Sequence, residues 1–295
     1  MRALRFHAAR DLRIEDVAEP PEPGPGQLTV QVAACGICGT DLHEYIAGPI
    51  VTPARPHPLT GAQNPQILGH EFAGEVVAVG EGVTRAAVGD RVAVMPLVFC
   101  GSCRYCVRGL PHLCDRMGCV GLSHRWGGMS PLATIDEFQV VPLPEGVTLE
   151  QGALIEPAAV GAYGVERAGV KPGDRVLVTG AGGLGVDAAV ECSGHPRGLD
   201  TAVRAVRKRG TVAQVGLFVG EATVDPMLWC LHEVTIVGTW CYWVYDFDRI
   251  AAQIAAGDLP VERVVTRRVD LDGAPDAFAD LASGTADEIK VLVAQ

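Results

Sequence analysis

Two thiols, a hydroxyl, two carboxylates and an imidazole fall within ten residues of this chain, in the run Cys35-Gly36-Ile37-Cys38-Gly39-Thr40-Asp41-Leu42-His43-Glu44. Glycines at 36 and 39 let the backbone fold tightly around something small, and the donor set suits a metal ion. It suits equally a turn with buried structural cysteines, since a free thiol packs as a small hydrophobe. Ligands from elsewhere in the chain must decide between the two.

The most specific spacing comes later, in Cys100-x2-Cys103-x2-Cys106-x7-Cys114. Four thiolates so arranged close a tetrahedral zinc site on a loop with too few apolar residues to hold itself, and a closed site is structural. His112 inside that lobe is expected on the surface. A second, open site can be assembled around the first run. Cys38 supplies a thiolate, Gly69-His70-Glu71 offers an imidazole beside a carboxylate, and Glu156 sits in the apolar run Ala153-Leu154-Ile155-Glu156-Pro157, where a charge needs a partner. One Cys, one His and one Glu leave the fourth position of a catalytic zinc free. Singly, His70 reads as well as a core histidine and Glu156 as a helix-end charge. A third signal is Gly180-Ala181-Gly182-Gly183-Leu184-Gly185 directly after an apolar strand, the spacing that seats a pyrophosphate on a helix N-terminus. Alone it reads as well as a glycine-rich turn.

These residues need a frame. Up to about residue 147 the sequence is short alternating apolar runs, such as 29–32, 75–79 and 91–94, broken by Gly and Pro, which predicts an all-β barrel or sandwich with long loops. Residues 48–65, with five prolines, read as an ordered surface loop. Thr148 and Gln151 then form a capping box, and strands begin to alternate with helices, which predicts a parallel α/β sheet. Residues 174–179 read as a buried strand, 199–209 as a helix capped by Asp200, 211–219 and 234–239 as strands, and 246–256 as a helix stopped by Gly257. The tail from 264 holds a final strand at 289–293 and no motif of its own.

Composition narrows the function. With 48% hydrophobic and 20% charged residues the 295-residue chain reads as a globular protein of one large or two ordinary domains. A net charge of −11 argues against a nucleic-acid partner, which demands a basic face. No apolar run is long enough to span a membrane and the N-terminus lacks a signal-peptide core, so a cytoplasmic, membrane-free protein is expected. In that reducing setting ten cysteines point to metal rather than to disulfides. Trp240, Tyr242, Trp243 and Tyr245 fit either a homo-oligomer interface, dimeric or tetrameric, or core packing.

With its three motifs in this order, the chain resembles the zinc-dependent medium-chain alcohol and polyol dehydrogenases, and most of all their 2,3-butanediol dehydrogenase branch. The resemblance is carried by residues 35–45 with Ala47-Gly48-Pro49, Pro56 to Gly61, Gly69 to Gly74, the four-cysteine lobe and Leu154-Ile155-Glu156-Pro157. It implies a GroES-like β-barrel catalytic domain over 1–157, a Rossmann-type domain over 158–258, and a return to the catalytic domain over 259–295. It implies a catalytic zinc on Cys38, His70 and Glu156, with Glu71 as an alternate or supporting carboxylate, and a structural zinc on Cys100, Cys103, Cys106 and Cys114. Asp41 would orient His70, Thr40 would take the proton of a bound alcohol, and His43 would relay it. Gly180, Gly182, Gly183 and Gly185 would bind NAD, with NADP as the alternative. A glutamate at 156 is similar to the polyol enzymes, so the implied substrate is a small secondary alcohol or vicinal diol.

The pattern breaks after Gly185, which runs straight into Val186-Asp187-Ala188-Ala189-Val190-Glu191-Cys192, similar to a later strand of the family. Two to three βα units, on the order of 50 residues, are missing, and with them the acidic residue that holds the ribose. Residues 186–192 either serve as a substitute helix after the glycines or pair as a strand and leave the phosphate loop uncapped. A zinc-binding, catalytically silent chain, a deleted paralogue or engineered variant, is therefore the second reading.

Overall fold

The computed structural model describes residues 1–179, 185–285 and 287–295. The chain divides into two units, one of Met1–Ala158 with Val244–Gln295 and one of Ala159–Trp243.

In the first unit β1 (Arg2–Ala8) and β2 (Asp11–Asp16) form a hairpin, followed by the long β3 (Gln27–Gly36) and α1 (Gly39–Ala47). Then come β4 (Gln66–Ile67), β5 (Glu71–Val79), β6 (Arg91–Val94), β7 (Leu97–Val98), β8 (Gly118–Cys119), β9 (Leu132–Asp136) and β10 (Val140–Pro142). After β10 the chain forms α2 (Leu149–Ala153) and enters α3 (Ile155–Arg167). The largest sheet runs β10-β6-β5-β3 and then takes in two strands from the far end of the chain, described below, while β9 pairs with β3. The alternation read in the sequence sets these pairings. Leu28, Val30 and Val32 of β3 turn inward beside Gln27, Thr29 and Gln31, and a one-residue slip would carry all three to the opposite face. The Thr148–Gln151 capping box starts α2 as expected, with Gln151 N donating to Thr148 Oγ1 at 3.1 Å.

The second unit is a parallel sheet ordered β11 (Val176–Val178), β12 (Val186–Glu191), β13 (Val206–Gln214), β14 (Thr235–Gly238), with α4 (Pro196–Ala205) and α5 (Pro226–His232) between strands. Val186 and Ala189 of β12 join Val203 and Val206 in one cluster, and Ala188 and Val190 join Ala168 and Ala213 in another, so both faces of β12 are buried. Only residues 179–185 separate β11 from its parallel neighbour β12, whereas such neighbours are ordinarily joined through a dozen or more.

Two expectations change here. The strand read over 174–179 is a three-residue strand, the outermost of its sheet among the described residues, and its side chains Val176 and Val178 are exposed. Asp200 is not a helix cap. His195 caps α4 by accepting from Arg197 N, and Asp200 pairs with Arg204 one turn on. Residues 244–258 pack in the first unit, where α6 (Phe247–Ala255) buries Phe247, Ile250 and Ile254 and Asp248 meets Arg85.

The chain closes with β15 (Val265–Asp270), α7 (Ala274–Ser283) and β16 (Lys290–Ala294). β15 pairs parallel with β16, and β16 runs antiparallel to β3, with Leu292 opposite Gly36 and Val293 opposite Cys35. The far end of the chain is thereby brought beside the first metal-binding run. Of the four aromatics near 240, Tyr242 is buried, Trp243 packs edge-on against Tyr163, and Trp240 and Tyr245 are exposed. Among the described residues no helix is long and apolar enough to cross a membrane.

Candidate metal centre

The four-cysteine lobe folds as its spacing requires. Two short 3-10 turns, Cys106–Arg108 and Pro111–Leu113, bring Cys100, Cys103, Cys106 and Cys114 together with all sulfurs within 4.8 Å of one another. Cys103 Sγ lies 3.5 Å from Cys106 Sγ, and Cys100 Sγ 4.0 Å from it. Sulfurs about 2.3 Å from a tetrahedral zinc stand about 3.8 Å apart, so the cluster has the dimensions of a zinc cage. Backbone amides of Cys100 and Arg116 point at Cys114 Sγ, both at 3.4 Å. The amide and hydroxyl of Ser102 hold the Cys100 thiol down to about 5, whereas burial pushes Cys106 up to about 12. Thiols packed so closely cannot all ionise without a cation among them. His112 is buried, not on the surface, because the second turn folds it under the lobe.

The second cluster is built by three elements. α1 begins at Cys38, whose amide donates to Asp41 Oδ2 at 3.0 Å, so the helix start fixes both the thiol and the carboxylate. Gly69 adopts φ +94°, and this turn delivers His70 and Glu71 into the head of β5. Opposite Glu71 in the β3–β5 ladder stands Gly36, where a Cβ would overlap the Glu71 carboxylate. Cys38, His70 and Glu71 each offer one ligand atom within 4.8 Å of the others.

Electrostatics at this cluster also call for a cation. His70 and Asp41 are buried, with Nδ1 and Oδ1 3.5 Å apart and neither hydrogen-bonded. This leaves Nε2 for the cluster. Burial alone would pull the imidazole down, yet the charges of Asp41 and Cys38 override it and hold His70 well above its ordinary value. A metal ion in the cluster would answer the same field. Thr40 Oγ1 lies 3.8 Å from Cys38 Sγ, and His43 follows one turn later on α1, half-buried.

Glu156 is placed differently from the other expected ligands. It is 6% exposed in the first turn of α3, but its carboxylate is not within 4.8 Å of all three members of the cluster. Its charge is nevertheless felt at Lys290 and Cys119. Cys35 is fully buried outside the cluster.

Two residues of this region were not legible as functional. Lys290 reaches back from β16 to place Nζ 2.7 and 2.8 Å from the two Glu71 oxygens and 3.0 Å from Ile37 O. Its signal is a lone basic residue at the head of a strand, ordinary until the pairing of β16 with β3 is known. Glu44, fully buried, accepts from the amides of Ile50, Val51 and Thr52 and from Thr52 Oγ1 at 2.7 Å, and so holds the loop after α1. Glu44→Ala leaves those donors unpaired, at about 1–3 kcal/mol for each one that stays dry. It should lower the denaturant midpoint by the equivalent of about 3 kcal/mol. Glu44→Gln, which keeps one acceptor oxygen, should lose less, and equal unfolding curves for all three proteins would refute the role.

In the second unit Gly180, Gly182 and Gly183 lie outside the described residues, and Gly185, at φ +72°, leads into β12. Residues 186–191 pair as a strand on both sides, so they supply no helix after the glycines. The acidic residue at the end of β12, Glu191, is fully buried and bonded to Ser193, Gly194, Thr179 and Gln214. No ribose-holding carboxylate of the expected kind is therefore free on that strand.

A mainly antiparallel unit holding a closed sulfur cage and an open thiolate–imidazole–carboxylate cluster, with a parallel α/β sheet as the second unit, defines the class of zinc-binding dehydrogenases. Residues 24–145 match the alcohol dehydrogenase GroES-like domain and residues 172–256 the zinc-binding dehydrogenase domain. The chain is 32% identical to an (R,R)-butanediol dehydrogenase of Neisseria gonorrhoeae over 352 aligned positions, covering 99% of both chains. It is 45% identical to that of Bacillus subtilis over 187 residues, spanning 63% of this chain and 53% of the relative. In structure it is similar to the Bacillus subtilis 2R,3R-butanediol dehydrogenase at a TM-score of 0.91 and 32% identity, over 100% and 99% of the chains. It is similar too to a zinc-binding dehydrogenase from Sinorhizobium meliloti 1021 bound to NADP, at 0.87 and 27%, over 100% and 99%. The chain belongs to the zinc-dependent medium-chain alcohol dehydrogenase family. The 352 aligned positions exceed its 295 residues, so the Neisseria relative carries positions that this chain lacks.

Proposed function

We propose that the chain is a zinc-dependent oxidoreductase that interconverts a small secondary alcohol or vicinal diol with its ketone, of the 2,3-butanediol and acetoin type, using NAD(P) as hydride partner. The observation that carries this reading is the Cys38–His70–Glu71 cluster, an open donor set beside a buried acid–imidazole pair whose facing atoms, Asp41 Oδ1 and His70 Nδ1, accept and donate no hydrogen bond. Family membership, the likeness to two butanediol dehydrogenases and the NADP bound to the Sinorhizobium protein support it.

In this reading Cys38, His70 and Glu156 hold the catalytic zinc, and the four-cysteine lobe holds a structural one. The catalytic metal supplies a Lewis acid that lowers the pKa of an alcohol oxygen. Asp41 keeps the His70 ring in one tautomer by facing Nδ1, an arrangement whose loss typically weakens metal affinity or activity by about 10–100-fold. Thr40, beside Cys38, accepts the alcohol proton at Oγ1, and His43, three residues on along the same helix face, passes it toward water.

The test is titration of the zinc-loaded protein with NAD and with NADP, alongside 2,3-butanediol oxidation followed by nicotinamide absorbance. Saturable binding and turnover are expected. No binding up to millimolar cofactor, with about two zincs per chain as the two sites require, would overturn the reading in favour of a silent zinc protein.

A further inference from the structure

A dinucleotide fold is built from two βαβαβ halves, each seating one mononucleotide, and the cofactor lies outside the carboxyl ends of the strands, across the point where the strand order reverses. The second unit contains one such half entire. β12, α4, β13, α5 and β14 alternate along the chain, with β12 parallel to β13 and β13 parallel to β14. Of the other half the described residues include one strand, β11, and β11-β12-β13-β14 stand in the sheet in chain order, without a reversal.

The retained half is held by its own contacts. At its carboxyl end Glu191, closing β12, accepts from Ser193 N at 2.9 Å, Gly194 N at 3.2 Å and Gln214 Nε2 at 2.6 Å. The carbonyl of Gln214, closing β13, accepts from Thr239 N at 3.0 Å and Thr239 Oγ1 at 2.9 Å, just past β14. The ends of all three strands are thus tied together. The loops after β12 and β13 also meet backbone to backbone, since a Cβ at Gly216 would stand 2.2 Å from Gly194 N, and one at Gly194 would stand 2.2 Å from Leu217 O. One acceptor is left over at this end. Gln214 Oε1 is buried without a hydrogen-bonded partner, and an amide donor such as the carboxamide of nicotinamide would satisfy it.

The adenylate half of a dinucleotide meets no such frame. The chain passes from Gly185 directly into β12, and the carboxylate that ends this strand is committed to Ser193, Gly194 and Gln214. The residues present fit a nicotinamide mononucleotide and not the adenylate that completes NAD or NADP.

We propose that this chain recognises its cofactor through the mononucleotide half alone, so that reduced nicotinamide mononucleotide binds as tightly as NADH or NADPH. This rests on the oxidoreductase reading above. Adenine and its ribose then contribute no affinity, and NADH is not distinguished from NADPH, which differs only by a phosphate on that ribose.

Binding to the zinc-loaded protein, without substrate, is read from the fluorescence of the reduced nicotinamide. Dissociation constants for the mononucleotide, NADH and NADPH should agree within about threefold, and ADP-ribose should not compete. NADH binding about tenfold or more tighter than the mononucleotide, equivalent to about 1.4 kcal/mol from the adenylate, would overturn the proposal and leave the oxidoreductase reading standing. Displacement by ADP-ribose would do the same. Failure of all three reduced nicotinamides to bind would overturn both. Alkylation locates the site. Cys192, exposed just past β12, should react more slowly with iodoacetamide when the mononucleotide is bound, whereas Cys230, exposed on α5, should react at the same rate. An unprotected Cys192 would place the cofactor away from the strand ends and overturn the proposal.

Discussion

Cys38→Ser should give a folded protein with one zinc in place of two and with turnover reduced by roughly 10^3-fold or more. The size of the loss follows from the several kcal/mol that a Lewis acid contributes to an alcohol–ketone transition state, each 1.36 kcal/mol being tenfold. The fold should survive because Cys38 contributes little to the core. It is the half-buried residue that caps the start of α1, and its structural task, donating its amide to Asp41 Oδ2, belongs to the backbone and persists in serine. Serine is a weaker ligand than thiolate, so the residual His70 and carboxylates cannot hold zinc against a chelator. Metal analysis and thermal unfolding should be read on one preparation. Unchanged metal content, or unchanged turnover, would sink the assignment of Cys38. Loss of both zincs with unfolding would show that Cys38 supports the fold and not the site alone.

Much of this site could be read from sequence because its donors lie in short runs. Cys38 with Asp41, His70 with Glu71, and the four cysteines are each set by local geometry, a helix start, a glycine turn and two 3-10 turns. What escaped depends on long-range pairing. Lys290 becomes part of the cluster only through the β16–β3 register, which no local pattern announces. Glu44 sits in the metal-binding run yet binds a loop, and nothing in its spacing separates one buried carboxylate from another. The break after Gly185 was legible as a departure from the family pattern, and the choice it left open is resolved by packing. Residues 186–191 are apolar enough to fill the sheet between β11 and β13, so they pair as a strand there. Val176 and Val178 belong to a continuous apolar run that suits a buried strand, yet both are exposed on the outermost strand of the sheet among the described residues.

Cys103→Ser is expected to do the opposite of Cys38→Ser, weakening the fold and leaving the catalytic donors in place. Structural zinc contributes apparent binding free energies of about 10–16 kcal/mol in small zinc-dependent folds, and a missing thiolate forfeits a large part of it. Here the lobe has little else to hold it. Val107 and Leu113 are exposed, Cys103 and Cys106 are only half-buried, and the turns contain three residues each. The lobe is not isolated, however, because Phe99 at its base packs against Phe138 with ring centroids 5.1 Å apart, and Met117 O takes a bond from His57 in the 48–65 loop at 3.1 Å. Melting of the lobe therefore loosens its surroundings, and a loss of about 3 kcal/mol or more is expected, the range of named large-effect mechanisms. In a unit of this size that corresponds to a fall in Tm on the order of 10 °C. Differential scanning calorimetry of parent and variant, each with and without a chelator, measures it. The chelator should lower the parent's Tm toward that of the variant and move the variant little. A variant that melts with the parent in both conditions would mean that the four sulfurs do not act through a bound metal.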